Sequence, residues 1–298
     1  MKRLIVNADD LGLTRGVNRA IGECHRHGIV TSATLMAGGA AFDDAVALAR
    51  SLPTLSVGCH VVLVDGAPQL ALSQVRSLLM PGTDRFYGTI SQFARAAIAG
   101  RLRSEEIEAE ATAQFDRLRQ AGIAISHFDA HKHAQIFPAV LAPLLRAAKS
   151  AGIPAVRSPF ERAFAMPPGA IFSNGKLAVR WAEVVALRAF RGKFIRLVRD
   201  SGLQAPDGSI GVAMTGQLSP PVLTDMLERL PQGTWELVCH PGYNDSELAA
   251  VRTRLRESRV LELQLLSDPL VRLIAEHAEV SLVSYNGFVH GALQPITT

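Results

Sequence analysis

The chain has 298 residues, of which 48% are apolar and 19% charged. That balance supports a sizeable core, in one large domain or two small ones, and excludes a disordered chain. Its 31 basic and 27 acidic residues are interspersed and leave a net charge of +4, too mild and too evenly spread to argue for a nucleic-acid partner.

The first predicted strand, Arg3–Ala8, carries only a short Leu-Ile-Val apolar run, so the N-terminus reads as neither a signal peptide nor a membrane span. Spaced apolar residues then predict a helix over Val17–His27, stopped by Gly28. A strand over Ser32–Met36, a helix over Ala41–Ser51 and a strand over Leu55–Leu63 follow. Residues Asp65–Gly100 contain Pro68, Pro81, Gly82 and Gly88 and read as a long loop. The alternation resumes with a helix over Ser104–Ala121, a strand over Ala124–Ala130, a helix over Pro138–Ala151 and a strand over Ala155–Arg157. Residues Ser158–Gln204 form a second interruption, which runs into a basic helical stretch. Strands over Ile210–Met214, Glu236–Cys239 and Val280–Ser284, with helices over Val222–Leu230 and Pro269–His277, complete the pattern. Such alternation implies parallel strands joined by crossover helices. Eight strand candidates predict an irregular (β/α) barrel, with an open doubly wound sheet as the alternative. No repeat or low-complexity linker divides the chain, so residues 1–298 read as one domain, with pocket-forming insertions at about 65–100 and 158–204.

Three cysteines, Cys24, Cys59 and Cys239, with no CxxC pair, argue against a disulfide framework and read as reduced thiols of a cytoplasmic protein.

In parallel β/α folds, active sites lie at the carboxyl ends of the strands, and the titratable residues of this chain gather there. Asp9 and Asp10 close the first strand. Adjacent carboxylates repel, and a cation makes the pair tolerable; a surface turn or helix cap ahead of Leu11-Gly12 is the other reading. His60 is the only ionisable residue in Val57–Leu63. Strand alternation puts it on the face opposite Cys59, leaving either a ligand or a satisfied core histidine. Ser126-His127-Phe128-Asp129-Ala130-His131-Lys132-His133 carries the densest signal, because on an extended chain His127, Asp129, His131 and His133 share one face. Imidazoles with a carboxylate suit Zn²⁺, and Mn²⁺ or Mg²⁺ can use the same donors. His240 precedes Pro241-Gly242, whose turn would fix an imidazole able to donate a proton near neutral pH. Arg157, at the end of its strand, could contact substrate or hold a catalytic carboxylate.

Taken together, Asn7-Ala8-Asp9-Asp10-x-Gly12, Gly58-x-His60, His127-x-Asp129-x-His131-x-His133…Pro138 and His240-Pro241-Gly242 resemble the YdjC-like carbohydrate deacetylases, in order from residue 3 to about 285. The resemblance implies an irregular β/α barrel that holds one divalent metal ion, Zn²⁺ or Mg²⁺, on Asp10, His60 and His131. It implies Asp9 as general base and His240 as general acid, with Asp129 and His133 behind the ligands or against substrate. Within that family, Val61–Pro68 and Ala130–His133 look most like the hopanoid-biosynthesis-associated branch, which implies an N-acetylglucosaminyl lipid as substrate. The chito-oligosaccharide branch tends to have Phe in place of Leu11 and a Ser-His-His-His-x-His run in place of Ala130–Gln135. Related proteins carry a homodimer as an expectation.

The residues leave other functions open. A metal-dependent phosphoester hydrolase uses similar ligands, but the chain has no glycine-rich phosphate loop. A non-catalytic sugar- or lipid-binding protein with a relic metal site has no use for an acid–base pair. The stretch Lys176–Arg199 is basic and amphipathic, either a surface for peripheral contact with an anionic membrane or a solvated face packed on the barrel.

Overall fold

The computed structural model describes residues 1–161, 185 and 187–291. Strand β1 (Lys2–Leu11) runs through the middle, buried from Leu4 onward. Its Leu-Ile-Val run suits a strand covered on both faces. It pairs in parallel with β6 (Gly233–Cys239) along one edge. Along its other edge β1 forks. β7 (Val280–Val283) pairs with Lys2–Ile5, and β2 (Ser32–Leu35) pairs with Asn7–Leu11. With β3 (Ser56–Val61), β4 (Phe128–Ala130) and β5 (Gly208–Ile210), the order is β4-β3-β2-β1-β6-β5. Segment 155–161 spans the remaining gap through isolated parallel bridges, Val156 to Phe128 of β4 and Glu161 to Ser209 of β5. The strands thus make the expected irregular parallel barrel. All of its paired strands point their carboxyl ends at one mouth.

Helices α1 (Arg15–His27), α2 (Phe42–Ser51), α3 (Ile90–Ile98), α4 (Ser104–Gln120) and α5 (Pro138–Ser150) follow in the first half. The second half adds α6 (Arg191–Ser201), α7 (Pro220–Glu228), α8 (Ser246–Ala249), α9 (Glu257–Ser267), α10 (Pro269–His277) and α11 (Tyr285–His290). Thr14 caps α1 by accepting the Val17 N–H, and buried Val17, Ala20, Ile21 and Cys24 form the stripe that meets the sheet.

Three expectations need correction. Ala155–Arg157 is not a strand. Pro154 has no N–H for a ladder, and the segment makes single bridges, Ala155 to Gln204 and Val156 to Phe128. The strand expected over Ile210–Met214 ends at Ile210. Gly211 turns at φ 87°, and the Glu161 carboxylate takes the Gly211 and Ala213 N–H groups at 2.8 and 2.7 Å in place of a neighbouring strand. The long loop expected over Asp65–Gly100 holds two 3₁₀ turns, Leu72–Gln74 and Arg76–Leu78, and the nine-residue helix α3. That helix is capped by Thr89 and docked through Phe93, Ala96 and Ala97. The glycines and prolines punctuate the segment without unravelling it.

Most of the basic stretch Lys176–Arg199 ahead of Leu187 lies outside the described residues. Within α6, Phe194 and Val198 are buried while Arg191, Lys193, Arg196 and Arg199 are exposed. Phe194 packs edge-on against Phe160, ring centroids 5.2 Å apart. No described helix is long and apolar enough to cross a membrane.

Candidate metal centre and active site

In a regular strand Asp9 and Asp10 would point to opposite faces. Here the register between β1 and β2 shifts between Ala8 and Leu11, and Asp10 adopts φ 67°. This bulge brings both carboxylates into the mouth, each with its own partners. A non-glycine residue at positive φ is strained, and such strain gathers at functional sites. Gly12 (φ 91°) finishes the turn, and its N–H donates to Asn18 Oδ1 at 2.7 Å.

His60 on β3 sits in register with Asp129 on β4. Its Nδ1 lies 2.6 Å from Asp129 Oδ1, so Nδ1–H donates to that carboxylate and Nε2 keeps its lone pair toward the mouth. Thr34 Oγ1 lies within 3.2 Å of both His60 Nδ1 and Asp129 Oδ2 and fixes the pair further. His60 Nε2 is 3.1 Å from His131 Nδ1, and each of these nitrogens is 3.5 Å from Asp10 Oδ1. All three donor atoms lie within 4.8 Å of one another. Two imidazole nitrogens and one carboxylate oxygen facing a common point fit a borderline or hard divalent cation and leave coordination positions free. Asp10 Oδ2, turned away, receives Arg259 Nη2 at 2.5 Å.

The expectation that His127, Asp129, His131 and His133 share one face fails after His131, since Asp129 and His131 both reach His60. The strand ends at Ala130, and Lys132 and His133 are both left-handed, with φ of 57° and 55°. His131, just ahead of that double turn, faces Asp10. His133 is also carried toward the site, its Nδ1 buried without a partner among the described residues. Burial, reinforced by the Arg157 charge, pushes its imidazole down to about 3. His127 goes elsewhere. It is fully buried, stacked on Tyr285 with centroids 3.5 Å apart, and its Nε2–H donates to Asn7 Oδ1 at 3.1 Å. Gly58 is explained by the same ring, because a Cβ there would meet it at 2.5 Å.

Asp9 faces a different set. Arg157, fully buried, grips both oxygens, Nη2 to Oδ1 at 2.6 Å and Nη1 to Oδ2 at 2.8 Å. Nη1 also pairs with Asp129 Oδ2, and Nε donates to Glu236 Oε1 at 2.7 Å. Asn7 Nδ2 donates to Asp9 Oδ1 at 3.0 Å. His240 Nε2 stands 3.9 Å from Asp9 Oδ2, and its backbone N–H donates to Glu262 at 2.6 Å.

Burial opposes charge on every group here, and the partners decide the outcome. Against burial, the Arg157 guanidinium and the His60 charge hold the Asp9 carboxyl far below the usual range. Arg259, with His131 and His60, does the same for Asp10. In the metal-free protein, burial disfavours the His60 imidazolium, yet Asp129, Asp9 and Asp10 lift it to about 9. Glu236 is raised to about 7 by burial despite Arg157. Burial also pushes the Cys59 and Cys239 thiols well up, which makes them packing groups and not nucleophiles.

The structure therefore gathers Asp9, Asp10, His60, Asp129, His131, His133, Arg157 and His240 at one mouth. Of the two roles open to Arg157, it fits the holding of a carboxylate. Sequence reasoning missed Thr34, Glu236, Arg259, Glu262 and Tyr285. Glu236 had a signal, as the lone acid in the apolar run Trp235–Cys239. Arg259 and Glu262 lie on α9, which periodicity did not reveal.

Residues 3–277 match the family model of the YdjC-like protein. A carbohydrate deacetylase of Geobacillus stearothermophilus is 32% identical over 95% of this chain and 97% of its own. A chitooligosaccharide deacetylase of Serratia marcescens is 28% identical over 99% of both chains. A solved structure from Enterococcus faecalis V583 superposes with a TM-score of 0.78 at 25% identity, covering 97% of this chain and 99% of that one. With its parallel barrel, its carboxylate–histidine mouth and a match spanning nearly its whole length, the chain belongs to the YdjC-like protein family.

Proposed function

We propose that this chain is a divalent-cation-dependent deacetylase that hydrolyses the N-acetyl group of an N-acetylglucosamine-type sugar. The observation that carries the reading is the convergence of Asp10, His60 and His131 on one point, with Asp9 and His240 3.9 Å apart beside it. Asp10, His60 and His131 would hold the cation, which when bound supplies Lewis acidity toward the acetyl carbonyl and an attacking water. Asp9 accepts the proton of that water. Arg157 keeps Asp9 ionised and fixes both its oxygens, so the carboxylate would take that proton without having to turn. His240 donates a proton to the leaving sugar nitrogen, which departs as an amine with acetate as the other product. Asp129 sets the His60 tautomer.

The named activities of the Geobacillus and Serratia relatives support the reaction class. The finer substrate, an N-acetylglucosaminyl hopanoid lipid, rests on the resemblance of Val61–Pro68 and Ala130–His133 to the hopanoid-associated branch. The two motifs meet in the structure, where Lys132 Nζ pairs with Asp65 Oδ2 at 2.6 Å. The Serratia relative favours chito-oligosaccharides as the second reading. Acetate release from the glycolipid and from N,N′-diacetylchitobiose, assayed side by side, separates the two. Release from the glycolipid alone supports the lipid reading, and release from chitobiose alone overturns it while keeping the reaction.

A further inference from the structure

Residues 283–289 enter the barrel from the end opposite the mouth. The Tyr285 and Asn286 N–H groups donate to Ser32 Oγ and Ser56 Oγ, at the amino ends of β2 and β3. Val283 and Tyr285 pack there with Ile5 and Ala155, and Phe288 and Val289 lie against them. A plug of this kind needs only apolar surface. Tyr285 does more. It is fully buried, and its hydroxyl donates to Glu236 Oε2 at 2.5 Å. Glu236 Oε1 accepts from Arg157 Nε at 2.7 Å, and Arg157 grips both oxygens of Asp9. From the other side, the Tyr285 ring stacks on His127, interplanar angle 8°. His127 donates to Asn7, and Asn7 donates to Asp9 Oδ1. The contacts form a closed circuit: Asp9, Arg157, Glu236, Tyr285, His127, Asn7 and Asp9 again.

We infer that Tyr285 is a positioning residue for Asp9, acting through Glu236–Arg157 on one arm and through His127–Asn7 on the other. Resting on the deacetylase reading for its catalytic consequence, Tyr285 thereby joins the active-site machinery, although it lies beyond the span matched by the family model. The circuit fixes both the plane and the position of the carboxylate. A guanidinium alone could swing with its long side chain. Glu236 anchors its Nε, and Tyr285 fills the second oxygen of Glu236, so neither arm has slack.

Two variants separate positioning from plugging. Tyr285→Phe keeps the ring on His127 and removes only the hydroxyl. Val283→Ala trims the same plug at a side chain outside the circuit. The first readout is the Arg157 Nε–H signal in ¹H–¹⁵N spectra of the whole protein, which needs no turnover. Its solvent exchange should rise about tenfold in Tyr285→Phe and stay at the parent rate in Val283→Ala. The second readout is acetate release. In Tyr285→Phe, kcat should fall about tenfold, with KM and cation affinity within twofold of the parent, a loss in the range seen when partners behind an active-site group are removed. Val283→Ala should melt at a lower temperature and keep kcat within twofold. Unchanged Arg157 exchange in Tyr285→Phe would overturn the inference, as would a loss of kcat in both variants that simply tracks melting temperature. A parent that releases no acetate would instead count against the deacetylase reading, and the exchange rates would still decide whether Tyr285 holds Arg157.

Discussion

Asp9 and Asp10 are neighbours in sequence, yet they answer to different cations. Arg157 holds Asp9 by both oxygens at 2.6 and 2.8 Å, whereas Arg259 holds one oxygen of Asp10 and leaves the other 3.5 Å from two imidazoles. The bulge at the end of β1 makes this division, because a regular strand would have hidden one of the two.

That division predicts different failures for the two positions. Asp9→Asn should keep cation affinity within about threefold and lower kcat by about 10²–10⁴, the range for losing a general base. Asp10→Ala and His131→Ala should lose measurable cation binding along with activity. Titration calorimetry with Zn²⁺, run beside acetate release, reads both effects. An Asp9→Asn variant with parental turnover would remove Asp9 from the base role.

Cation affinity should depend on pH through His60. The metal-free imidazole is lifted to about 9 by its three carboxylates, and only the neutral ring can bind a metal. Affinity should therefore rise about tenfold per pH unit up to pH 9 and flatten beyond it. The same shift gives the metal-free fold a stability contribution. With a folded pKa above the unfolded 6.5, it is fully present below pH 6.5 and lost as pH rises through 9. Denaturant midpoints of metal-free protein at pH 6 and pH 9.5 check the sign. A higher midpoint at pH 9.5 would contradict it.

Removing Arg157 should cost both fold and function. Arg157→Met leaves Asp9, Asp129 and Glu236 as buried carboxylates without their shared cation, a loss of about 3–5 kcal/mol. Arg157→Lys keeps the charge but cannot span both Asp9 oxygens, so it should recover stability and not turnover. Urea melts and kcat of the two variants provide the comparison.

Gly58→Ala tests the support behind Asn7. The added methyl meets the His127 ring at 2.5 Å and should destabilise by about 1–3 kcal/mol. It should also disturb the His127–Asn7–Asp9 arm, so kcat should fall in protein that is still folded at the assay temperature.

The strand–helix rhythm and the mouth residues were legible because both follow local rules. Asp10 and His240 close apolar runs, and His60 and Asp129 lie near the ends of theirs, which places chemistry at strand ends whatever the neighbours are. Two kinds of feature were not legible. Strand alternation put His131 and His133 on one face, but the left-handed Lys132 and His133 end the alternation, and ordinary propensity does not announce two such residues in a row. The other features depend on distant partners. Arg157 meets Asp9 across 148 positions and Tyr285 meets Glu236 across 49, so each was visible only as an isolated polar residue in an apolar run. The segment 155–157 looked like a strand for the same reason, since its composition fits one and only its distant neighbours, Phe128 and Gln204, limit it to isolated bridges.

The most direct test of the account is acetate release from an N-acetylglucosamine-bearing substrate before and after chelation, with Zn²⁺ or Mg²⁺ then restored. Release should stop when the cation is stripped, return when it is restored to the parent protein, and fail to return in His131→Ala. Release that survives chelation, or no release from glycolipid or chitobiose with cation shown to be bound, would contradict it.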